Sequence, residues 1–96
     1  PYTTLFRSEV LSGHSFWVNC LQSLPDGRIV SGSGDKTLRI WTRDKEGVWQ
    51  NELLSGHSAW VNCLQSLPDG RIVSGSDDKT IRIWDGEVVE KSGEDR

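Results

Sequence analysis

Short runs of apolar and polar residues alternate along this chain, and clusters of turn-forming residues separate the runs. In the segment 37–42, Leu38 and Ile40 are apolar and the intervening Arg39 is charged, a period of two that is typical of a strand with one buried face. Pro-Asp-Gly and Gly-Asp-Lys clusters on either side of residues 28–33 predict tight turns. No long window shows helical spacing, so the pattern indicates antiparallel strands and an all-β fold.

The chain repeats itself at an offset of 43 residues. Residues 11–41 match residues 54–84 at 28 of 31 positions. The three differences are Phe16 against Ala59, Gly34 against Asp77, and Leu38 against Ile81. A period of this size is typical of repeat architectures, in which one supersecondary unit stacks on the next. We therefore expect two copies of a four-stranded unit, with strands near 17–24, 28–33, 37–42, 48–54, 60–67, 71–76 and 80–85 and a candidate strand at 87–91.

The repeat divides the chain into four segments. Residues 9–54 hold the first repeat with a connecting strand, residues 55–89 hold the second, and residues 90–96 form a polar tail. Residues 1–8 look like the in-frame translation of a common sequencing adapter. We therefore expect a non-native leader there, and expect the remainder to be a fragment of a longer reading frame.

Charge and composition disfavour several classes of function. The formal net charge is -3 with a pI near 5.3, and the basic residues are dispersed, so nucleic-acid binding is disfavoured. No window approaches the roughly 18 apolar residues of a membrane span, and the N-terminus lacks the features of a signal peptide. We expect an intracellular, cytoplasmic protein that does not contact a membrane.

The two cysteines, Cys20 and Cys63, occupy the same place in the two copies, each within an apolar strand. We interpret them as small buried hydrophobic residues in a reducing compartment, with a disulfide or a metal pair as the alternatives. Each repeat has one His and one Cys with a spacing of six, unlike any short zinc pairing, and the glycines do not precede a helix. We therefore expect no metal and no cofactor.

One constellation has the residue types of a catalytic triad. These are His57, Ser76 and Asp78 in the second copy. A triad needs an exposed serine beside an oxyanion hole, and an enzyme needs one site rather than one per repeat. We therefore expect no catalytic residue in this chain.

A 43-residue period that opens with Gly-His and closes with Trp-Asp resembles the WD-repeat family of β-propellers. Three segments agree with the family pattern over residues 9–89: the Pro-Asp-Gly turn, the Ser-Gly-Ser-x-Asp-Lys-Thr segment and the final Ile-Arg-Ile-Trp-Asp. The first copy departs once, with Thr42 where the family has Asp. The resemblance implies two four-stranded antiparallel blades that form part of a β-propeller. Because a propeller needs at least four blades, we expect missing sequence or self-association to complete the ring.

The resemblance also implies two sets of site residues. A structural hydrogen-bond network would join Trp41, Ser33, His14 and Asp35 in the first copy, and Trp84, Ser76, His57 and Asp78 in the second. Partner-binding positions at the rim of the narrower face would be Trp17, Asn19 and Gly34, with Trp60, Asn62 and Asp77. The alternative for the two rim tryptophans is that they only pack at the junction between blades.

These features favour a non-catalytic scaffold that binds a peptide or protein segment on the propeller face, with other WD repeats as partners in cis or in trans. Two alternatives remain open. The propeller could be a sensor or regulatory arm of a larger signalling NTPase or kinase, which flanking sequence would reveal. It could also be a self-assembling repeat module, which its mass in solution would reveal.

Overall fold

The computed structural model describes residues 1–86, which form seven strands and no helix that is long and apolar enough to cross a membrane. Each strand lies within one residue of its predicted bounds at either end, and the candidate strand at 87–91 lies outside the described residues. The strands are β1 (Val18–Ser23), β2 (Ile29–Ser33), β3 (Thr37–Arg43), β4 (Trp49–Ser55), β5 (Val61–Ser66), β6 (Ile72–Ser76) and β7 (Ile81–Trp84).

The strands form two antiparallel sheets. The first has the order β1-β2-β3-β4, and the second, among the described residues, has the order β5-β6-β7. The turn glycines Gly27 and Gly70 have φ values of 97° and 95°, which residues with a Cβ rarely adopt. The prediction of an all-β protein with two blade-like sheets is confirmed.

Strand β4 belongs to the first sheet, although it directly precedes the second Gly-His pair. It pairs with β3 along its whole length, with Leu38 opposite Leu54 and Arg43 opposite Trp49. The segment just before a Gly-His pair is therefore the outermost strand of the preceding sheet.

The core lies between the two sheets. Val30, Leu38 and Ile40 alternate with polar residues, so they lie on one face of the first sheet, which we call its inner face. Val61 and Ile72 of the second sheet pack against this face. The buried cluster consists of Leu24, Val30, Leu38, Ile40, Val61 and Ile72, with Cys20, Leu54, Leu64 and Trp84 partly buried around it.

Gly32 lets the two sheets approach each other closely. A Cβ at this position would lie 2.6 Å from Cγ1 of Val61 and 2.7 Å from Sγ of Cys20. Any side chain here would therefore push β5 away from β2.

The cysteines differ in their surroundings, and neither forms a disulfide. Cys20 is half-buried between the sheets, where burial, together with the neighbouring Cys63, raises the pKa of its thiol to about 11. Cys63 is exposed, so its interpretation as a buried hydrophobic residue is wrong. The reason is that Cys63 lies on the outer face of the second sheet, which no other sheet of the described residues covers.

Candidate functional site

A chain of hydrogen bonds crosses the second sheet. Trp84 Nε1 donates to Ser74 Oγ over 2.8 Å, and the same hydroxyl lies 2.7 Å from Nε2 of His57. Nδ1 of His57 lies 2.9 Å from Oδ2 of Asp78. The network therefore joins the third strand, the second strand, the segment before the first strand and the turn.

The first sheet carries the same chain of bonds. Trp41 Nε1 donates to Ser31 Oγ over 2.8 Å, and this hydroxyl lies 2.6 Å from Nε2 of His14. Nδ1 of His14 lies 2.9 Å from Oδ2 of Asp35. The two repeats thus build the same arrangement from equivalent residues.

The direction of donation follows from the chemistry of the end groups. The indole N–H of Trp84 can only donate, and the ionised carboxylate of Asp78 can only accept. With the Nδ1–H tautomer assigned to His57, Nδ1 donates to Asp78 and Nε2 accepts the hydroxyl proton of Ser74. Every polar group in the chain then has a partner inside an otherwise apolar sheet.

The predicted serines of this network, Ser33 and Ser76, are the wrong ones. Ser33 Oγ instead donates to the carbonyl of Phe16 over 3.3 Å and accepts the amide of Asp35 over 2.9 Å. Ser76 makes the equivalent bonds, to the carbonyl of Ala59 and from the amide of Asp78. Both serines therefore fix the turn rather than join tryptophan to histidine.

The register of the strands explains this correction. Residues 31 and 33 lie on the same face of β2, so the Ser-Gly-Ser sequence offers two candidate hydroxyls. Trp41 lies opposite Ile29, and its indole reaches one step diagonally to Ser31, whereas Ser33 lies a further step along the strand.

The aspartate of the network is held ionised by its neighbours. Burial alone would raise the pKa of Asp35, but hydrogen bonds from the hydroxyl of Thr37, from His14 and from the amides of Ser15 and Thr37 together lower it well below its usual range. In the second repeat, hydrogen bonds led by the hydroxyl of Thr80 lower the pKa of Asp78 in the same way.

The His–Ser pairs are closed to a substrate. Ser74 is fully buried, and its hydroxyl is occupied by Trp84 and His57. A nucleophilic serine must be reachable by the substrate, which these positions do not allow. Within residues 1–86, no group of three or more His, Cys, Asp or Glu side chains is placed to hold a metal ion.

Three aromatic side chains form a continuous exposed surface at the junction of the sheets, which we call the aromatic ridge: Phe16, Trp17 and Trp60. Phe16 stacks on Trp17 with 5.3 Å between ring centroids, and it tilts against Trp60 at 5.5 Å. Trp17 is 68% exposed and Trp60 is 40% exposed. Both tryptophans were predicted at the rim, and they pack at the junction while still presenting surface to solvent.

Phe16 is the ridge residue that sequence reasoning missed. Its ring lies over Gly34, where a Cβ would come within 2.5 Å of Phe16 Cδ2 and 3.4 Å of Trp60 Cδ2. Two of the three differences between the repeats, at positions 16 and 34, therefore meet in space. That coincidence was visible in the sequence as a pair of substitutions, but not as a contact.

The polar residues predicted as partner-binding positions have different surroundings. Asn62 Nδ2 donates to Oδ1 of Asp77, and both residues are exposed. Asn19 Nδ2 instead donates to the carbonyl of Val61 over 3.3 Å, across the junction between the sheets. The amide of Asn19 is thus partly used in holding the sheets together, whereas the Asn62–Asp77 pair faces solvent.

Comparison with known proteins matches both halves of the chain to one family. The family described as "WD domain, G-beta repeat" matches residues 6–42 and 49–85. The crystal structure of the WD40 beta propeller domain of Doa1 superposes with a TM-score of 0.69 and 32% sequence identity, over 78% of this chain and 25% of that one.

Several curated proteins are similar over one repeat. The chain is 59% identical over 32 residues to nuclear distribution protein PAC1 of Candida dubliniensis, which covers 32% of this chain and 6% of that protein. It is 49% identical over 41 residues to Protein FIZZY-RELATED 1 of Arabidopsis thaliana, and the match covers 42% of this chain and 9% of that protein. It is 51% identical over 35 residues to apoptotic protease-activating factor 1 of Danio rerio, and the match covers 35% of this chain and 3% of that protein. Each of these matches therefore covers less than a tenth of the length of the relative.

Proposed function

The chain belongs to the WD40 repeat family, and on that basis we propose that it is a non-catalytic scaffold that binds a peptide or protein segment through the aromatic ridge. WD40 propellers generally bind proteins or peptides. The observation that carries the proposal is the exposure of Trp17, at 68%, in a cluster with Phe16 and Trp60. Contiguous exposed aromatic surface is typical of an interaction site.

The packing of the ridge supports a role as an anchor. Phe16 and Trp60 hold each other in place, because the centroids of their rings are 5.5 Å apart and Phe16 rests on Gly34. Rings that are already ordered lose little conformational entropy when a partner binds. Tryptophan is also among the residues most enriched at the energetic centres of protein interfaces.

The neighbouring polar pair suggests how the partner segment is oriented. Asn62 and Asp77 are both exposed and share a hydrogen bond. A carboxylate beside aromatic rings favours a segment that offers a hydrogen-bond donor or a cation next to an apolar side chain. We therefore expect the bound segment to place an apolar side chain on the ridge and a donor on Asp77.

The five tryptophan indoles provide a direct test. A ligand is first selected from a random peptide library displayed on phage, with the 96-residue chain as bait. In a nitrogen-15 NMR titration of the selected peptide, we expect the indole N–H signals of Trp17 and Trp60 to shift, while those of Trp41 and Trp84, which donate to buried serines, stay in place. Failure to select a peptide, or shifts centred on Trp49, would overturn the proposal.

A second candidate function is that of a regulatory arm within a larger signalling protein. It is favoured by the similarity to a protein named apoptotic protease-activating factor 1. The genomic sequence on either side of this chain tests it. A flanking nucleotide-binding or kinase domain supports the regulatory arm, and flanking WD repeats alone contradict it.

We also propose that the protein works in the cytoplasm. Free thiols at Cys20 and Cys63 support a reducing compartment, because an oxidising one promotes disulfides. Imaging of a fluorescent fusion in living cells checks this proposal, and signal confined to a secretory compartment would contradict it.

A further inference from the structure

The interface between the two sheets is built from residues whose repeat equivalents lie exposed on the outside of the molecule. Leu38, on the inner face of the first sheet, is 0% exposed, but its equivalent Ile81 in the second sheet is 74% exposed. Ile40 and its equivalent Ile83 differ in the same way. The outer face of the second sheet is thus a copy of the inner face of the first, lacking a cover among residues 1–86.

The opposite half of the interface is repeated as well. Val61, which packs on the first sheet, is 0% exposed, whereas its equivalent Val18 is 52% exposed on the outer face of the first sheet. Leu21 is likewise exposed, although its equivalent Leu64 packs against the core. The outer face of the first sheet is therefore a copy of the face that the second sheet buries.

The fit of Val61 on Gly32 shows how these faces match in shape. A Cβ at Gly32 would meet Cγ1 of Val61 at 2.6 Å, so the valine fills the space that the glycine leaves. A Cβ at the equivalent Gly75 would meet only the Sγ of Cys63 within 4 Å. Gly75 therefore offers the same recess, and Val18 is the matching valine on the other face.

Residues 9–12 correspond in sequence to part of the outermost strand of a sheet. Their sequence, Glu-Val-Leu-Ser, corresponds at the 43-residue offset to the Glu-Leu-Leu-Ser of residues 52–55 in β4. Residues 9–12 line a cavity with Trp41 on the outer face of the first sheet. Glu52 and Leu54 likewise line a cavity together with Trp84.

Two strand edges have no partner strand within residues 1–86. Among the described residues, β7 pairs only with β6, and residues 9–12 pair with no strand. In the first sheet, the equivalent edges pair with each other, with Leu38 opposite Leu54 and Ile40 opposite Glu52. Unpaired edges of this kind are templates for another chain.

We propose that a second copy of this chain docks head to tail, with the outer face of its second sheet on the outer face of the first sheet of its neighbour. Val18 of one copy then enters the recess at Gly75 of the other, and the exposed Ile81 and Ile83 are covered. The occupant is a second copy because the internal interface already shows that these two faces fit each other.

The contact is heterologous, since it joins two different faces, and it leaves one free face at each end of a pair. Such contacts close into a ring when the rotation allows it. Because each copy contributes two blades and propellers hold about four to eight, a closed ring contains about two to four copies. We therefore expect an assembly with two to four times the 10.8 kDa mass of the chain.

Sedimentation equilibrium with two face variants tests the proposal. Val18→Asp places a charge on one face and Ile81→Asp places a charge on the other, and each position is exposed in the single chain, so the fold is retained. We expect the wild-type chain to form the multimer and each variant to weaken association by about 100-fold or more, because an unpaired carboxylate would be buried. Val48→Asp, at an exposed apolar position outside both faces, is the matched control and should still associate.

Mixing the two variants separates head-to-tail docking from every other mode. Val18→Asp keeps an intact second-sheet face and Ile81→Asp keeps an intact first-sheet face, so an equimolar mixture should form a 1:1 dimer that neither variant forms alone. A variant that fails to give the wild-type circular dichroism spectrum is replaced by one on the same face: Leu21→Asp replaces Val18→Asp, and Ile83→Asp replaces Ile81→Asp. A monomeric wild-type chain would overturn the proposal, because its two outer faces could then be covered only by further repeats in cis. A multimer insensitive to both variants, or a mixture that stays monomeric, would do the same.

Discussion

The ring of Phe16 lies directly on the backbone of Gly34, so that any Cβ at position 34 would come within 2.5 Å of Phe16 Cδ2. In the second repeat, both positions change together, to Ala59 and Asp77. The smaller side chain at 59 removes the ring that would collide with a side chain at 77. Two of the three differences between the repeats are therefore one coupled change, and only the first repeat contributes a phenylalanine to the aromatic ridge.

A double-mutant cycle checks this coupling. Gly34→Asp alone should destabilise the chain by about 1–3 kcal/mol, since Phe16 must move from its packed position. Adding Phe16→Ala reproduces the pair found in the second repeat and should recover most of that loss. The free energy of unfolding in urea measures each variant, and strictly additive effects would contradict the contact.

The identity of the network serine can be tested in the second repeat. Ser74→Ala leaves the buried Nε1 of Trp84 and Nε2 of His57 without a partner, so we expect a loss of about 1–3 kcal/mol of stability. The indole N–H of Trp84 should shift in the nitrogen-15 NMR spectrum. Ser76→Ala, the matched control, also loses hydrogen bonds but should leave that indole signal in place. An indole shift in Ser76→Ala alone would favour the network predicted from sequence.

The same network makes stability depend on acid pH. The pKa values of Asp35 and Asp78 are lower in the folded chain than the value of about 3.9 for an unfolded aspartate. Their contribution is therefore fully present above about pH 4 and is lost as the pH falls toward the folded pKa values. Thermal unfolding between about pH 7 and pH 2 should show this loss as a falling Tm. In Asp78→Asn, this acid limb of the curve of Tm against pH should be shallower. An unchanged limb in Asp78→Asn would contradict the assignment.

The two thiols should differ in reactivity. The rate at Cys63 should also show whether a second copy covers the outer face of the second sheet. In the Val18→Asp chain, exposed Cys63 should react with a thiol reagent well before Cys20, which is half-buried with a raised pKa. The variants Cys63→Ser and Cys20→Ser show which reaction rate belongs to which thiol. In the wild-type chain, Cys63 should be slower than in Val18→Asp because a second copy covers it. Equal rates for the two thiols in Val18→Asp would contradict the exposure difference.

Much of the fold could be predicted from sequence, because period-two alternation and turn chemistry are local properties. The 43-residue repeat fixed the number of units, and the turn clusters placed every described strand end within one residue. The exposure of Cys63 could not be predicted, since it depends on what covers a sheet face rather than on the strand around it.

The site was predictable only in part, for a similar reason. The family pattern singled out Trp17 and Trp60, which are exposed and in contact with each other, and it placed histidine, aspartate and tryptophan in one network. The choice between Ser31 and Ser33 depends on strand register, which hydrophobic patterning does not fix to one diagonal. Phe16 escaped notice because its partner, Gly34, is 18 residues away and has no side chain to suggest a contact.

The central claim, that the aromatic ridge binds a partner segment, is tested most directly by calorimetry with the selected peptide. The matched variants are Trp60→Ala in the ridge and Trp49→Ala on β4, where the indole donates to Glu9 instead. We expect Trp60→Ala to raise the Kd by about 30-fold or more, as loss of an interface hot spot does, and Trp49→Ala to leave it within about twofold of wild type. Equal affinities for Trp60→Ala and the wild-type chain, with both folded, would contradict the claim.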